Sequence, residues 1–258
     1  MGVVPSPIGI SSLLGLARSL AIYRLLPGRT HRFARLYGPW ITPGDLCFDI
    51  GAHVGNRSLA MARLGARVIA VEPQPLFATY LRRATQRDDS IQVLETALGA
   101  EPGETVLHVS ERTPTVTTTD ESWKEAVGAS EGFSKVSWDR QIRVGQTTLD
   151  ALIAEHGRPK LCKIDVEGAE ATILAGLSEP IPYISFEYIP AARSVALECI
   201  DRLEILGRYV YQATIAERTD FVDPGDWSPD EARAWIESLP FEDGAGDLHA
   251  RLIADDDG

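Results

Sequence analysis

Residues 46–72 read LCFDIGAHVGNRSLAMARLGARVIAVE, and this stretch decides the fold. An apolar run ends at Asp49, a turn carries Gly51 and Gly55, a helical pattern follows, and a second apolar run ends at Glu72. This order predicts a strand, a glycine turn, a helix and a second strand. In such a unit the glycines let the backbone approach a ligand, and an acidic residue about 20 positions on binds ribose hydroxyls. The stretch therefore predicts a nucleoside site.

The residues of the turn indicate which kind of nucleoside is expected to bind. A pyrophosphate loop has the pattern G-x-G-x-x-G, whereas His53 places an imidazole between the two glycines here. Asp49, at the end of the first strand, suits the ammonium group of an amino acid better than a phosphate. Together with Glu72, these features favour S-adenosylmethionine as the cofactor. A tight packing turn without a ligand is the alternative interpretation of Gly51 and Gly55.

The composition limits the class of protein and its partners. The chain has 258 residues, of which 44% are hydrophobic, enough for one large α/β domain or two small ones. Its net charge is −12, so nucleic acid is not expected to be a partner. Cys47, Cys162 and Cys199 form no C-x-x-C motif, which predicts buried, reduced thiols in a cytoplasmic protein.

An apolar segment precedes the glycine turn. Residues 8–26 are interrupted by Arg18 and Arg24, which argues against a membrane span or a signal peptide. The spacing predicts an amphipathic helix within an N-terminal helical extension, residues 1–42, that packs on the core. An interfacial helix or a helix that forms a homodimer is the alternative. The predicted buried face comprises Leu13, Ala17, Leu20 and Ala21.

Strand and helix patterns alternate through residues 43–258, which predicts one α/β domain with a doubly wound, mostly parallel sheet. Residues 248–253 are predicted to form a last strand at an edge of the sheet. Residues 111–140 are polar and lack periodicity. We interpret this insertion either as a lid over a ligand or as an exposed loop.

A second group of charged residues lies at residues 163–170, which read KIDVEGAE. A buried strand excludes unpaired charge, so Lys163 and Asp165 either neutralise each other or form part of a polar site. Glu187 lies on the next predicted strand. Because ligands bind at the carboxyl ends of parallel strands, Asp49, Glu72, Asp165 and Glu187 are expected to converge on one cleft.

Several motifs together resemble the FkbM family of S-adenosylmethionine-dependent methyltransferases. They are DIGAHVGNRS, VEPQP, the ALG at residues 97–99, the TLD at residues 148–150 and KIDVEGAEATIL. The resemblance spans roughly residues 43–187. It implies the seven-strand, Rossmann-like methyltransferase sheet and O-methylation of a hydroxyl on a sugar, a saccharide or a secondary metabolite. An NAD-dependent oxidoreductase and a non-catalytic carbohydrate-binding protein are the alternatives from other classes.

The resemblance also implies roles for single residues. Asp165, Glu167 and Glu187 are expected to face the acceptor. The residues expected to bind the cofactor are Asp49, Gly51, His53, Gly55, Glu72, Ala97 and Asp165.

The acceptor hydroxyl must lose a proton, and two routes are open. Either His53 or Asp165 removes it directly, or a magnesium ion held by Asp165 with Glu167 or Glu187 lowers the charge on the oxygen. In both routes Lys163 would compensate one of the carboxylates.

Overall fold

The computed structural model describes residues 10–23, 28–133 and 136–253. Its helices are α1 (Ile10–Tyr23), α2 (Arg29–Tyr37), α3 (Asn56–Arg63), α4 (Pro75–Thr85), α5 (Glu121–Gly128), α6 (Leu149–His156), α7 (Glu170–Ala175), α8 (Arg193–Leu206) and α9 (Pro229–Ser238). Its strands are β1 (Leu46–Ile50), β2 (Arg67–Val71), β3 (Ile91–Leu94), β4 (Ala97–Leu98), β5 (Gly103–Val109), β6 (Arg140–Thr147), β7 (Leu161–Ile164), β8 (Tyr183–Tyr188), β9 (Tyr209–Ile215) and β10 (Gly246–Leu252).

The main sheet has seven strands in the order β3-β2-β1-β7-β8-β10-β9. β10 runs antiparallel to both of its neighbours, and the pairs among β1, β2, β3, β7 and β8 are parallel. The chain winds outward from β1 in one direction and then returns to start β7 on its other side. Such a reversal opens a cleft beyond the carboxyl ends of the central strands. The predicted doubly wound seven-strand α/β sheet is therefore confirmed.

The central strands are buried on both faces, as helices on two sides of the sheet require. All five residues of β1 are buried, and Phe48 and Cys47 point into different core clusters. Cys162 and Cys199 are also buried, and all three thiols are free, which confirms the prediction of reduced cysteines in the core.

The last strand corrects one prediction. Residues 248–253 were expected at an edge of the sheet, but β10 lies between β8 and β9. Asp247 and His249 on this strand are 4% and 3% exposed, so these polar side chains of the strand lie inside the protein. The cause is a long-range pairing, in which β10 inserts between two strands that precede it in the chain.

The insertion of residues 111–140 is structured where it is described. It contains α5, which begins with Asp120 accepting hydrogen bonds from the backbone N–H groups of Ser122 and Trp123. Trp138 donates its indole N–H to the carbonyl of Val116 at 2.9 Å. The strand that follows, β6, pairs with β4 and β5 in a separate three-stranded sheet. Neither α5 nor β6 was predicted, because polar residues occupy both faces of β6 and no apolar period marks α5.

α1 packs on the protein with a face that differs from the prediction. Gly15 and Ser19 are buried, whereas Leu13 and Ala17 of the predicted face are exposed. The prediction was wrong because the contact needs small residues: a Cβ added at Gly15 would lie 2.6 Å from the carbonyl oxygen of Glu111. In the described part of the chain, no helix is long and apolar enough to cross a membrane.

Candidate active site

A cleft lies at the carboxyl ends of β1, β2, β7 and β8 and encloses about 1120 Å³ of space between protein atoms, its open mouth included. Its walls come from the turns after these strands and from the insertion. Among the residues that line it are Gly51, His53, Glu72, Gln74, Ala97, Thr117, Asp165, Glu167, Glu187, Asn56, Arg57 and Glu217.

The glycine turn after β1 is fixed by close backbone contacts. Gly51 has a φ of 83°, and a Cβ added there would lie 1.8 Å from the carbonyl oxygen of Asp165. Only glycine permits this approach, which brings the turns after β1 and β7 together. Gly55, also at φ 83°, faces Leu81 instead and does not line the cleft. The structure therefore brings Gly51 into the predicted site and gives Gly55 a packing role.

Glu72 is held at the rim of β2 with its carboxylate aimed into the cleft. It is 6% exposed and accepts hydrogen bonds from the backbone N–H groups of His53 and Gln74, both at 2.8 Å. Burial outweighs these two bonds and raises the pKa of Glu72 to about 7. A carboxylate has about four acceptor positions, so lone pairs remain for hydroxyl donors of a ligand.

His53 lies between the two glycines in the left-handed region, with a φ of 49°. Its ring packs against Phe77, with the ring centroids 4.4 Å apart. Burial lowers the pKa of His53 to about 4, so the imidazole is neutral at pH 7. A base of that strength accepts a proton poorly, so the environment of His53 favours a role in shaping the cleft.

Asp49 does not line the cleft, although the sequence predicted that it would bind the cofactor. It is 1% exposed and accepts a hydrogen bond from the hydroxyl of Ser58 at 2.5 Å. Burial raises the pKa of Asp49, and the Ser58 bond opposes this rise. The carboxylate therefore joins β1 to α3 behind the wall of the cleft.

Three carboxylates meet at the other end of the cleft. Asp165, Glu167 and Glu187 each present an oxygen within 4.8 Å of the other two. Burial, and then the neighbouring carboxylates, raise the pKa of Glu167 and of Glu187 well above the ordinary value. Glu167 has a φ of 59°, which is unusual for a residue other than glycine. The geometry allows this group to take up a proton or to hold a cation.

The loop that carries Asp165 is held by Glu170 at the start of α7. The carboxylate of Glu170 accepts hydrogen bonds from the backbone N–H groups of Val166 and Gly168, both at 3.0 Å. Gly168 has a φ of 103°, and a Cβ there would lie 2.3 Å from the ring of Trp123 in the insertion. The second acidic residue of the VEGAE motif therefore fixes the loop rather than facing a ligand.

Lys163 is completely buried and does not line the cleft. Its ammonium group lies 3.2 Å from a carboxylate oxygen of Asp165 and donates to Asp247 at 2.8 Å. Burial alone would lower the pKa of Lys163, but these two carboxylates outweigh it and raise the pKa. The predicted contact between Lys163 and Asp165 is present, and Asp165 still reaches the cleft with a third of its side chain exposed.

Sequence reasoning missed the charged residues that extend this network. Arg57 lies 3.1 Å from Asp247 and 3.8 Å from Glu217. Burial would raise the pKa of Asp247, but Lys163 and Arg57 hold it at about 2. The sequence did not indicate Asp247, because its strand was expected at an edge of the sheet. Arg57 lies in α3, within the motif GNRS at residues 55–58, and its position near the predicted site could have been noticed from the sequence.

The insertion forms the wall of the cleft beside Glu72. Gln74 donates its side-chain N–H to the hydroxyl of Thr117 at 2.9 Å, which joins the turn after β2 to the insertion. Thr117 in turn donates to the carbonyl of Pro114 at 2.9 Å. Ala97 lines the same end of the cleft.

Comparison with known proteins gives the family. Residues 49–241 match the methyltransferase FkbM domain. Over 145 residues the chain is 23% identical to the hexuronic acid methyltransferase AglP of Haloferax volcanii, with 55% of this chain and 54% of that protein aligned. The chain thus matches about half the length of this relative.

Solved structures of similar shape include a putative O-methyltransferase from Klebsiella pneumoniae, at 10% identity and a TM-score of 0.49 over 98% of this chain and 92% of that one. Another is the O-methyltransferase from Bacillus cereus in complex with S-adenosylhomocysteine, at 12% identity and a TM-score of 0.45 over 97% and 93%. The matched domain covers most of the chain, so this protein belongs to the FkbM family of S-adenosylmethionine-dependent methyltransferases.

Proposed function

We propose that this protein is an O-methyltransferase that acts on a hydroxyl of a sugar, a saccharide or a secondary metabolite. The observation that supports this proposal is the position of Asp165. Its carboxylate lies in the same cleft as Glu72, at the end lined by polar and charged side chains. A proton acceptor next to a cofactor site is what transfer to an alcohol requires.

The residues present fit S-adenosylmethionine, which supplies a methyl group on a sulfonium when bound. Glu72 offers free lone pairs to the two ribose hydroxyls, and Ala97 and Thr117 line the wall beside it. The turn at Gly51 and His53 would hold the amino-acid half. In this arrangement the residues after β1 and β2 bind the cofactor, and those after β7 and β8 face the acceptor.

We assign the general base to Asp165. The choice rests on geometry: its carboxylate is a third exposed to the cleft and meets Glu167 and Glu187, whereas the ring of His53 packs against Phe77. The competing route uses a magnesium ion held by Asp165, Glu167 and Glu187, whose oxygens would suit a hard cation. Turnover that persists after treatment with EDTA would support the base, and turnover that is lost with EDTA and restored by magnesium would establish the metal.

The polar end of the cleft supports a polyhydroxylated acceptor. Asn56, Arg57 and Glu217 line it beside the carboxylates and offer both donors and acceptors to hydroxyl groups. The H. volcanii relative is named for a hexuronic acid, which agrees with a saccharide acceptor. The test is a screen of labelled methyl transfer to sugars, glycosides and polyketides, with the product's new ether bond located by mass spectrometry. Methylation only on nitrogen or carbon would refute the proposal.

The predicted alternatives do not explain the cleft as well. An NAD-dependent oxidoreductase needs a glycine loop around a pyrophosphate, and the buried ring of His53 takes up that space. A non-catalytic carbohydrate-binding protein gives no role to Glu72. Its carboxylate follows β2, whereas the three carboxylates proposed to face the acceptor lie at the ends of β7 and β8.

We expect Glu72→Ala to weaken the binding of S-adenosylhomocysteine by roughly 1 to 3 kcal/mol, because the ribose hydroxyls lose a charged acceptor. Calorimetric titration measures the change, and Glu101→Ala, at an exposed position outside the cleft, is the control. Unchanged affinity in Glu72→Ala would refute the ribose assignment.

The affinity of the wild-type protein should also depend on pH. The pKa of Glu72 is about 7 without ligand, and hydroxyl donors stabilise its ionised form. Binding therefore releases a proton, and affinity should rise as pH increases toward 7 and level off above it. This dependence should disappear in Glu72→Gln. A wild-type affinity independent of pH would contradict this account of Glu72.

We expect ligand binding to protect the insertion. Thr115, Thr117 and Thr119 line the cleft, so S-adenosylhomocysteine should slow amide exchange in residues 113–119. Hydrogen exchange followed by mass spectrometry tests this, with the start of α9, where Asp230 and Glu231 are exposed, as the internal reference. Equal exchange in residues 113–119 with and without cofactor and acceptor would rule out a lid.

A further inference from the structure

The outer side of α1 is an apolar surface with one arginine in it. Leu13, Leu14 and Ile22 are 51%, 66% and 40% exposed. Ala17, Arg18 and Ala21 are exposed between them. Since residues three or four apart share a face of a helix, these side chains form one continuous surface. We call it the α1 face; it consists of Leu13, Leu14, Ala17, Arg18, Ala21 and Ile22.

Contacts on the inner side of α1 fix the direction of this face. Ser19 is 2% exposed, and Gly15 fits closely against Glu111 and Pro114. At the other end of the helix, Arg29 donates to the carbonyl of Ile22 at 2.9 Å and lies 3.0 Å from Glu217. The helix is thus held along its length, and the α1 face is turned to the outside.

The charge of this part of the chain is opposite to that of the rest. Residues 1–44 contain five arginines and no acidic residue, which leaves 20 basic against 37 acidic residues in the remainder. Arg18, Arg32 and Arg35 are exposed. A basic segment with an exposed apolar face is typical of helices that bind at a membrane surface.

We propose that the α1 face docks this protein on a membrane surface that carries anionic lipid headgroups. The helix lies in the plane of the surface, with its leucine and isoleucine side chains among the upper acyl chains. The guanidinium group of Arg18 extends to the headgroups, as long basic side chains do at such interfaces. Two acidic residues close to α1 are each paired with an arginine: Glu217 lies 3.0 Å from Arg29 and Glu111 lies 3.7 Å from Arg140. Salt screens exposed charges that are more than about 10 Å apart.

A second copy of the chain fits this face less well. In a twofold symmetric pair the α1 face would meet itself, which would bring the two copies of Arg18 together. One side of a helix of 14 residues is also small for a stable dimer, which buries roughly 800 Å² on each partner.

Docking would place the cleft close to the membrane. Pro114 contacts α1 at Gly15 and also lines the cleft, so one wall of the cleft rests on the docking helix. An acceptor at the membrane surface would then be within reach of the site.

The test is sedimentation of the full-length protein with vesicles. One set contains phosphatidylcholine alone, and the other contains phosphatidylcholine and phosphatidylglycerol in a two-to-one ratio. We expect binding to the anionic vesicles and at least about tenfold less to the neutral ones. Leu14→Glu should reduce binding to anionic vesicles by at least about tenfold. The matched control is Ile205→Glu, because Ile205 is 74% exposed on α8 and should be dispensable for docking.

Other outcomes would overturn the proposal. They are no binding to either vesicle, equal binding to both, or equal loss in Leu14→Glu and Ile205→Glu. Light scattering gives the state in solution: a dimer that Leu14→Glu dissociates would assign the α1 face to a second copy instead. Unchanged S-adenosylhomocysteine binding in Leu14→Glu shows that the variant is folded, and keeps this result independent of the methyl-transfer assignment.

Discussion

Asp165→Asn should lower kcat by at least about a thousandfold and leave the affinity for S-adenosylhomocysteine within a few fold. General bases typically contribute a hundredfold to ten-thousandfold, and we propose that this carboxylate faces the acceptor rather than the ribose. The asparagine has nearly the same shape, so the contact of the turn with Gly51 is retained. Single-turnover assays and calorimetry on the same preparation measure the two quantities.

A matched control comes from Asp89→Asn, at an exposed position far from the cleft, which should keep full activity. Asp165→Ala should be as inactive as Asp165→Asn. If either variant retained near-normal turnover, the assignment of the whole carboxylate group would be wrong. If activity fell only because the cofactor no longer bound, Asp165 would belong to the cofactor half of the cleft.

Lys163→Met should lower the free energy of unfolding by about 3 kcal/mol. The substitution keeps the length of the side chain but removes a buried ammonium group from between Asp165 and Asp247. Breaking a buried ion pair from one side typically costs 3 to 5 kcal/mol, because the remaining charge is left buried. Arg57 still neutralises part of Asp247, so we expect the lower end of that range.

Urea denaturation of a double-mutant cycle measures this coupling. Adding Asp247→Asn to Lys163→Met should destabilise the protein by less than the sum of the two single changes, because the unpaired carboxylate is gone. The control is Lys160→Met at the partly exposed start of β7, where we expect a loss within about 1 kcal/mol. Additive effects of Lys163→Met and Asp247→Asn would show that Lys163 and Asp247 do not stabilise each other.

Local patterns predicted the part of the site that lies within two strand-turn-helix units. One strand, one turn and one helix set the spacing from Asp49 to Glu72. The sequence therefore predicted that Gly51, His53 and Glu72 share one site, and all three line the cleft. Asp165 and Glu187 followed from the rule that parallel strands end at one edge. Asp49 was also expected in the cleft but does not line it, because the pattern places a residue at a strand end without fixing the direction of its side chain.

Contacts between residues far apart in the chain could not be predicted from the sequence. Asp247 comes 84 residues after Lys163 in the chain and reaches it only because β10 inserts next to β8. The contact of Gly15 with Glu111 likewise depends on a loop that is distant in the chain. Because of this contact, α1 packs on the protein with Gly15 and Ser19 rather than with Leu13 and Ala17. In both cases the local sequence pattern was compatible with several packing arrangements, and the tertiary contacts determined which one formed.

Calorimetric titration of the purified protein with S-adenosylhomocysteine and with NAD tests the central claim most directly. We expect one S-adenosylhomocysteine site per chain, binding that weakens in Glu72→Ala, and no measurable binding of NAD. Binding of NAD without binding of S-adenosylhomocysteine, or S-adenosylhomocysteine binding that does not respond to Glu72→Ala, would contradict the assignment of this cleft.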